Sequence, residues 1–259
     1  MKRIIALSSA LILLMVSALS VQAKNDWVTT WATALQIAEA HNNPPEPYLA
    51  NNSFRQIVQV SVGGKELRLH LSNLFNADIT EIKGVEIAVA KTMGSSPEID
   101  EKTSVNLTFG GQRSFTMQAG EAVISDPVKF KVKERMNLAI TIHYGSISAT
   151  RVTSHPGSRT TSYIAEGNTT DFSNPVAKTD HWYTISAIDV IPKKKAAAIC
   201  VMGDSITDGR GTTTNGQNRW TDELSRHLLE NKMNISVLNF GLGGNCIING
   251  GLGPNAQNR

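Results

Sequence analysis

Alternation of apolar and polar residues dominates the sequence between Val58 and Tyr144. Apolar residues occupy every second position in the runs Val58-Val60-Val62, Leu67-Leu69-Leu71, Val85-Ile87-Val89, Val105-Leu107-Phe109, Val128-Phe130-Val132 and Leu138-Ile140-Ile142-Tyr144. A period of two is typical of strands with one buried face, whereas an amphipathic helix repeats every 3.6 residues. Gly63-Gly64 separates the first two runs and predicts a hairpin between them. The pattern therefore predicts an antiparallel β-sandwich or jelly roll over residues 24–192.

A different pattern follows the basic stretch Pro192-Lys193-Lys194-Lys195, which we interpret as a solvated linker. The continuous apolar run over residues 196–202 is typical of a strand that is buried on both faces of a parallel sheet. Residues 235–239 have the composition of a second strand. A right-handed crossover places two such strands parallel to one another. Residues 193–259 are therefore predicted to form a second, α/β domain.

A helix is predicted between these two strands. Asn218 is a favourable capping residue, and the helix is expected to end near Asn231. Its apolar residues recur at four-residue steps, at Trp220, Leu224 and Leu228. This spacing predicts that the three side chains form the packed face of the helix.

The most informative motif is Gly-Asp-Ser-Ile-Thr-Asp-Gly at residues 203–209, directly after the first of these strands. Open α/β sheets bind their ligands at the carboxyl ends of their strands, so Ser205 is a candidate nucleophile. Asp204 and Asp208 have the composition of ordinary turn and cap residues. The motif resembles the first signature block of the SGNH, or GDSL, family of serine ester hydrolases. That resemblance implies that residues 193–259 are the first part of a three-layer, flavodoxin-like α/β hydrolase domain.

The second strand leads into Asn-Phe-Gly-Leu-Gly-Gly-Asn at residues 239–245, which resembles the second block of the same family. The resemblance implies that the backbone N–H groups of Gly244 and Ser205 stabilise the oxyanion formed when Ser205 attacks an ester carbonyl. Glycine suits this position because the backbone must approach the substrate without a side chain in between. The residues from Trp27 to Ala32 also look like the N-terminal region of some secreted bacterial members.

Two further blocks of the family, Gly-x-Asn-Asp and Asp-x-x-His, do not occur in this sequence. In the family they provide an oxyanion donor, the general base and the carboxylate that orients it. We therefore interpret the chain as a C-terminally truncated hydrolase with little or no esterase turnover. His70 and His143 are expected within strands, His155 and His181 in loops and His227 on the helix, and none is assigned as the base.

The N-terminus resembles a secretory signal peptide, with Lys2 and Arg3 before an apolar run over residues 4–21. Val21-Gln22-Ala23 predicts cleavage before Lys24, so the mature protein is expected to be secreted or periplasmic, without a membrane anchor. The rival interpretation is an uncleaved anchor. Removing residues 1–23 lowers the formal charge from +3 to +1, which gives no electrostatic footprint for nucleic acid.

The two cysteines, Cys200 and Cys246, are too few for a disulfide scaffold. We expect two buried or partly buried thiols, although a disulfide between them remains an alternative in an exported protein. No ligand cluster predicts a metal, and the resemblance implies hydrolysis without a cofactor.

Two functions are compatible with the sequence. The first is a secreted serine esterase whose substrate is a small-molecule or polysaccharide ester, either an acylated carbohydrate or a lipid. The second is a non-catalytic glycan-binding module with an inert hydrolase remnant. In the second case exposed aromatic rings would stack on sugars, and the candidates are Trp27, Trp31, Trp182 and Tyr183.

Overall fold

The structure is a computed structural model that describes residues 27–250 and 254–255. The predicted signal peptide, residues 1–23, lies outside the described residues. Where the chain is described it is mostly β-structure, with few helices. None of the helices in this part of the chain has the length and hydropathy of a membrane span.

The strands follow one another closely along the chain. In chain order they are β1 (Val28–Ala32), β2 (Gln36–Ile37), β3 (Ser53–Gln59), β4 (Gly64–Ser72), β5 (Thr80–Ala90), β6 (Ile99–Leu107), β7 (Phe115–Met117), β8 (Ala122–Ile124), β9 (Val128–Val132), β10 (Asn137–Tyr144), β11 (Thr153–His155), β12 (Ser162–Ala165), β13 (Ala177–Thr179), β14 (Trp182–Tyr183), β15 (Ile185–Val190), β16 (Ala197–Gly203) and β17 (Ile235–Gly241). The α-helices are α1 (Ser205–Asp208) and α2 (Trp220–Glu230), and a 3-10 turn spans Ala40–Asn42.

Residues 27–192, which we call the β-rich region, contain two large antiparallel sheets. One sheet has the order β1-β15-β4-β8, with β9 also paired to β4. The other has the order β13-β12-β3-β10-β5-β6, with β7 also paired to β5. A small third sheet has the order β14-β11-β2. Strand positions in this region agree with the period-two pattern, whereas a jelly-roll connectivity and a division into two domains stay predictions.

The two large sheets share one hydrophobic core. Alternate residues of β4, at Leu67, Leu69 and Leu71, are fully buried and belong to the same cluster as Ile140 and Ile142 of β10. The polar residues between them point to the opposite face of each sheet, as a period of two requires. Burial of these apolar side chains stabilises the β-rich region, against which the rest of the chain packs.

The predicted hairpin at Gly63-Gly64 is wrong. Strands β3 and β4 flank it, but they belong to different sheets, so residues 60–63 cross from one sheet to the other. The two glycines do not form a turn; they allow the chain to pack closely against β9 and β15. A Cβ on Gly63 would lie 2.7 Å from the Val132 carbonyl oxygen, and one on Gly64 would lie 2.7 Å from Val190 Cβ.

Residues 196–250, which we call the C-terminal segment, have the predicted β-α-β order. Strands β16 and β17 pair in parallel, in register from Ala197 opposite Ile235 to Gly203 opposite Gly241. Helix α2 is capped by Arg219, not by Asn218 as predicted, because the Arg219 N–H donates to the Asp222 carboxylate at 2.9 Å. Asn218 accepts from the Thr213 N–H instead.

The packed face of α2 also differs from the prediction. Trp220 is 46% exposed, and the buried residues of the helix are Thr221 and Ser225. The helix lies against β17, where the Asn239 side chain donates to Thr221 Oγ1 at 3.0 Å. A close polar contact thus determines the orientation of the helix, so small residues face inward.

Burial of β16 on both faces, and of the two cysteines, was predicted wrongly. Within the described residues β16 pairs with β17 alone, and Ile199 is 39% exposed. Cys200 and Cys246 are both exposed and form no disulfide. The exposure of Cys200 follows from the open outer side of this two-stranded sheet, and Cys246 lies in the loop after β17.

The inner side of the same sheet packs against the β-rich region. Thr33, just after β1, forms a parallel bridge with Asn239 of β17. Ser61 Oγ donates to the Val237 carbonyl and accepts from the Val237 N–H, both at 3.2 Å. Arg135 Nη1 donates to the Asp222 carbonyl at 2.8 Å. These contacts hold the C-terminal segment in a defined position on the β-rich region.

Candidate active site

Ser205 is the first residue of α1 and follows directly after the end of β16. The Asp204 carboxylate accepts from the Ile206 N–H at 2.9 Å and caps the helix, as predicted for this residue. The Ser205 carbonyl accepts from the N–H groups of Gly209 and Arg210, and Gly209 ends the helix with φ +108°. This tight turn leaves the Ser205 side chain partly exposed at the carboxyl end of the strand.

Gly244 lies in the turn that follows β17. The turn is closed by a hydrogen bond from the Asn245 N–H to the Leu242 carbonyl at 3.2 Å, and Gly244 is exposed with φ +67°. The Leu242 N–H donates to the Gly203 carbonyl at 3.0 Å, which extends the pairing beyond the strands. Because β16 and β17 run parallel and in register, Ser205 and Gly244 follow the same end of the sheet. The catalytic roles of both residues stay predictions.

Asp208, the last residue of α1, connects the two predicted site residues. Its Oδ2 accepts from the Gly243 N–H at 3.1 Å, next to Gly244, while its own N–H donates to the Asp204 carbonyl at 2.9 Å. Gly241 passes so close that a Cβ there would overlap the Asp208 backbone. Asp208 is therefore not the ordinary cap residue that the sequence suggested: it is buried and bridges the helix of Ser205 and the turn of Gly244.

The β-rich region contributes a partner for this carboxylate. His155 ends β11, and is not in a loop as expected; its Nε2 lies 3.0 Å from Asp208 Oδ1. Its Nδ1 donates to the Ala34 carbonyl at 2.8 Å, and its ring stacks on Trp182 with centroids 5.6 Å apart. Both side chains of the His155–Asp208 pair are almost completely buried. Sequence reasoning missed the pair because its members are 53 positions apart in the sequence and no local motif marks His155.

Arg219 forms a second buried link across the same interface. Its Nε donates to the Asp208 carbonyl at 3.0 Å, and its Nη2 donates to the Ser158 carbonyl of the β-rich region. The guanidinium also lies 3.4 Å from the Asp222 carboxylate. The residue that caps α2 thus also fixes the end of α1.

None of the six histidines, all of which are described, has a ring nitrogen within hydrogen-bonding distance of Ser205 Oγ. Their partners lie elsewhere: Glu39 for His41, Asp189 for His70, Ser53 and Glu86 for His143, Ala34 and Asp208 for His155, Pro156 and Asp180 for His181, and Glu230 for His227. His70 and His143 lie within strands and His227 on the helix surface, as expected. No described histidine is therefore placed to act as the base for Ser205.

A serine, a histidine and a glutamate also meet on the outer face of the seven-stranded sheet. Ser53 Oγ lies 2.7 Å from His143 Nδ1, and His143 Nε2 lies 3.6 Å from Glu86. Ser53 is fully buried, and its hydroxyl already donates to the Gly167 carbonyl. A hydroxyl has one hydrogen, so Ser53 can only accept from His143. The hydrogen bond with His143 lowers the pKa of Glu86, and the group stabilises the sheet instead of activating a nucleophile.

The aromatic residues proposed as a glycan platform are mostly in the core. Trp31 is 7%, Trp182 4% and Tyr183 0% exposed, and the two tryptophans pack edge to face. Trp27 lies under the Arg68 guanidinium, 4.6 Å from ring centroid to Cζ. These rings form no exposed coplanar surface on which a sugar could stack.

Comparison with known proteins gives one family match. Residues 199–257 match the sequence profile of the family described as GDSL-like Lipase/Acylhydrolase. This range begins within β16 and contains both helices, β17 and the turn of Gly244, and it lies wholly in the C-terminal part of the chain. No curated protein matches the chain.

Proposed function

Because residues 199–257 match the family profile described as GDSL-like Lipase/Acylhydrolase, we propose that the protein is an SGNH/GDSL hydrolase that acts on carboxylic esters with Ser205 as nucleophile. The observation that carries the proposal is the parallel pairing of β16 with β17, which places Ser205 and Gly244 at one end of the sheet. Active sites of open α/β sheets lie at this end.

The chemistry follows from the positions of these two residues. Ser205 Oγ attacks the carbonyl carbon of the ester, and the carbonyl oxygen becomes an oxyanion. The N–H groups of Ser205 and Gly244 donate to that oxygen. The first N–H groups of a helix have no partner within the helix, and Gly244 has no side chain to keep the substrate away. Each such donor is typically worth about 100- to 1,000-fold in rate.

A general base is the component that the described residues do not bring to Ser205. All six histidines have other partners, so the Ser205 hydroxyl stays a neutral alcohol and a poor nucleophile. Oxyanion stabilisation alone still leaves residual catalysis in serine hydrolases whose other groups have been removed. We therefore propose weak, Ser205-dependent turnover for this chain.

The substrate proposed is an acylated carbohydrate or a lipid ester, met in the periplasm or outside the cell. The signal peptide predicted for residues 1–23 supports this location. The chemistry of Ser205 and two backbone donors requires no cofactor. The alternative, a glycan-binding module, has no support from the buried positions of Trp31, Trp182 and Tyr183.

Hydrolysis of p-nitrophenyl acetate tests this proposal. The chain, its Ser205→Ala variant and the control Ser173→Ala, which changes an exposed serine, are compared at equal concentration. We expect a slow rate for the chain and for Ser173→Ala, and the background rate for Ser205→Ala. Equal rates for the chain and Ser205→Ala would overturn the nucleophile assignment. Fast turnover that Ser205→Ala abolishes would instead show that a base acts within this chain.

A further inference from the structure

Helix α1 consists of four residues, which is too short to be stable by its own hydrogen bonds. The position of Ser205 must therefore be fixed by contacts outside the helix. The Asp208 carboxylate provides such contacts on two sides: Gly243 N–H at 3.1 Å on the turn of Gly244, and His155 Nε2 at 3.0 Å on the β-rich region.

We propose that the β-rich region is a positioning part of the active site, because its residues His155 and Gly157 hold the Asp208 carboxylate that joins Ser205 to Gly244. The catalytic meaning of this inference rests on the proposed function. Neither His155 nor Asp208 touches the substrate in this proposal. Both residues affect catalysis by fixing the position of the Ser205 N–H relative to the Gly244 N–H, the two oxyanion donors.

The site around the carboxylate is built from both parts of the chain. A Cβ on Gly157 would overlap both Asp208 carboxylate oxygens, so glycine is required for the β-rich region to approach this closely. His155 is itself fixed on its other side by the Ala34 carbonyl and by the Trp182 ring. The carboxylate is 6% exposed, so it cannot move into solvent without opening the interface.

The buried charge of Asp208 restrains the position of its carboxylate. A buried carboxylate is costly unless it is hydrogen-bonded, so the Gly243 N–H restrains Asp208 through Oδ2, while Oδ1 lies 3.0 Å from His155 Nε2. A displacement of this carboxylate would release Gly243 and shift Gly244 relative to Ser205. Misplacement of a catalytic group by about 1 Å can cost about 100-fold in rate.

Gly157→Ala is the most direct variant because it pushes the carboxylate aside without removing a functional group. The matched control is Gly84→Ala, since a Cβ there has an ordinary 3.5 Å contact with His143. A second control, Arg135→Ala, weakens the same interface at Asp222, away from Asp208. His155→Gln keeps a polar side chain at this position, and it is expected to retain most of the wild-type behaviour.

Two quantities are measured on the full chain: amide hydrogen exchange at Gly243, and the rate at which a fluorophosphonate probe labels Ser205. We expect Gly157→Ala to raise the exchange rate at Gly243 at least tenfold and to slow labelling about ten- to a hundredfold. Gly84→Ala and Arg135→Ala should change neither quantity by more than about twofold, even where Arg135→Ala lowers the melting temperature.

The inference and the proposed function fail in different ways. If Gly157→Ala leaves exchange at Gly243 unchanged, or if Arg135→Ala raises it equally, the positioning role is overturned. If wild-type Ser205 is not labelled at all, the nucleophile assignment fails while the exchange data still decide the positioning role. Where Gly157→Ala does not fold, His155→Ala replaces it, and unchanged exchange in that variant would contradict the inference equally.

Discussion

Buried carboxylates in this protein are paired with residues far away in the sequence. Asp208 meets His155 across the interface, and Asp189 of β15 meets Arg68 and His70 of β4, each at 2.8 Å. Ser205 was recognised from sequence because its motif is continuous. The Asp208 and Asp189 pairs were not, because only tertiary structure brings their members together. The position of Ser205 at the end of a strand was thus predictable from adjacent residues, whereas pairs that only the fold brings together were not; the catalytic role of Ser205 stays a prediction.

Asp189 predicts a specific loss of stability in acid. Burial alone would raise its pKa, but hydrogen bonds from His70, Thr29 and Arg68 lower the pKa from 3.8 to about 2. A carboxylate with a lowered pKa stabilises the folded state above its unfolded pKa, and this contribution is lost as the pH falls from about 4 to about 2. We expect it to be worth about 2 kcal/mol.

Urea unfolding at pH 5 and pH 2.5 measures this contribution. The loss of unfolding free energy between the two pH values should be smaller in Asp189→Asn than in the parent chain, by about 1–2 kcal/mol. The exposed Asp78→Asn variant is the control and should lose as much as the parent. An equal loss in all three proteins would show that Asp189 is not the group responsible.

Secondary structure was predicted more reliably than the partners of each element. Strands β4, β5, β9 and β10 lie where the period-two pattern placed them, because alternation reflects one buried face. Pairing was not predictable from that pattern: β4 pairs with β15, more than 100 residues later, so the hairpin with β3 does not form. Likewise the apolar stripe of α2 predicted a helix correctly but its packed face wrongly, since the buried residues are Thr221, which accepts from Asn239, and Ser225, on the neighbouring face.

Gly209 provides a test at the end of α1. Its φ of +108° is unfavourable for any residue with a Cβ, and a Cβ there would also lie 2.7 Å from Arg219 Cγ. We expect Gly209→Ala to lower the unfolding free energy by about 1–3 kcal/mol. Gly120→Ala is the matched control, because Gly120 has φ +77° with nothing within 4 Å of the added Cβ.

Thermal and urea unfolding of both variants separate the cost of backbone strain at positive φ from the cost of a steric clash between the added Cβ and Arg219. Gly120→Ala should cost about 1 kcal/mol from backbone strain alone, and Gly209→Ala should cost more because Arg219 is buried and fixed. A smaller cost for Gly209→Ala than for Gly120→Ala would mean that the contact between α1 and Arg219 is not tight.

The molecule combines a large antiparallel core with a two-stranded parallel sheet that packs against it on one side. The C-terminal segment by itself buries few apolar residues, and its fixed contacts are mostly polar links to the β-rich region through Ser61, Arg135, Ser158 and His155. The sequence predicted the β-α-β order and the parallel pairing from local patterns. It could not predict that the β-rich region would reach the helix of Ser205, because no periodicity encodes a contact between distant parts of a chain.

Identification of the labelled residue by mass spectrometry is the most direct test of Ser205 as nucleophile. The full chain is incubated with excess fluorophosphonate, digested and compared with Ser205→Ala treated in the same way. We predict a single serine adduct, formed slowly, on the peptide that contains Ser205, and no adduct on that peptide in the variant. An unmodified Ser205, or labelling that persists at another serine when Ser205 is replaced, would contradict the proposed ester hydrolase chemistry.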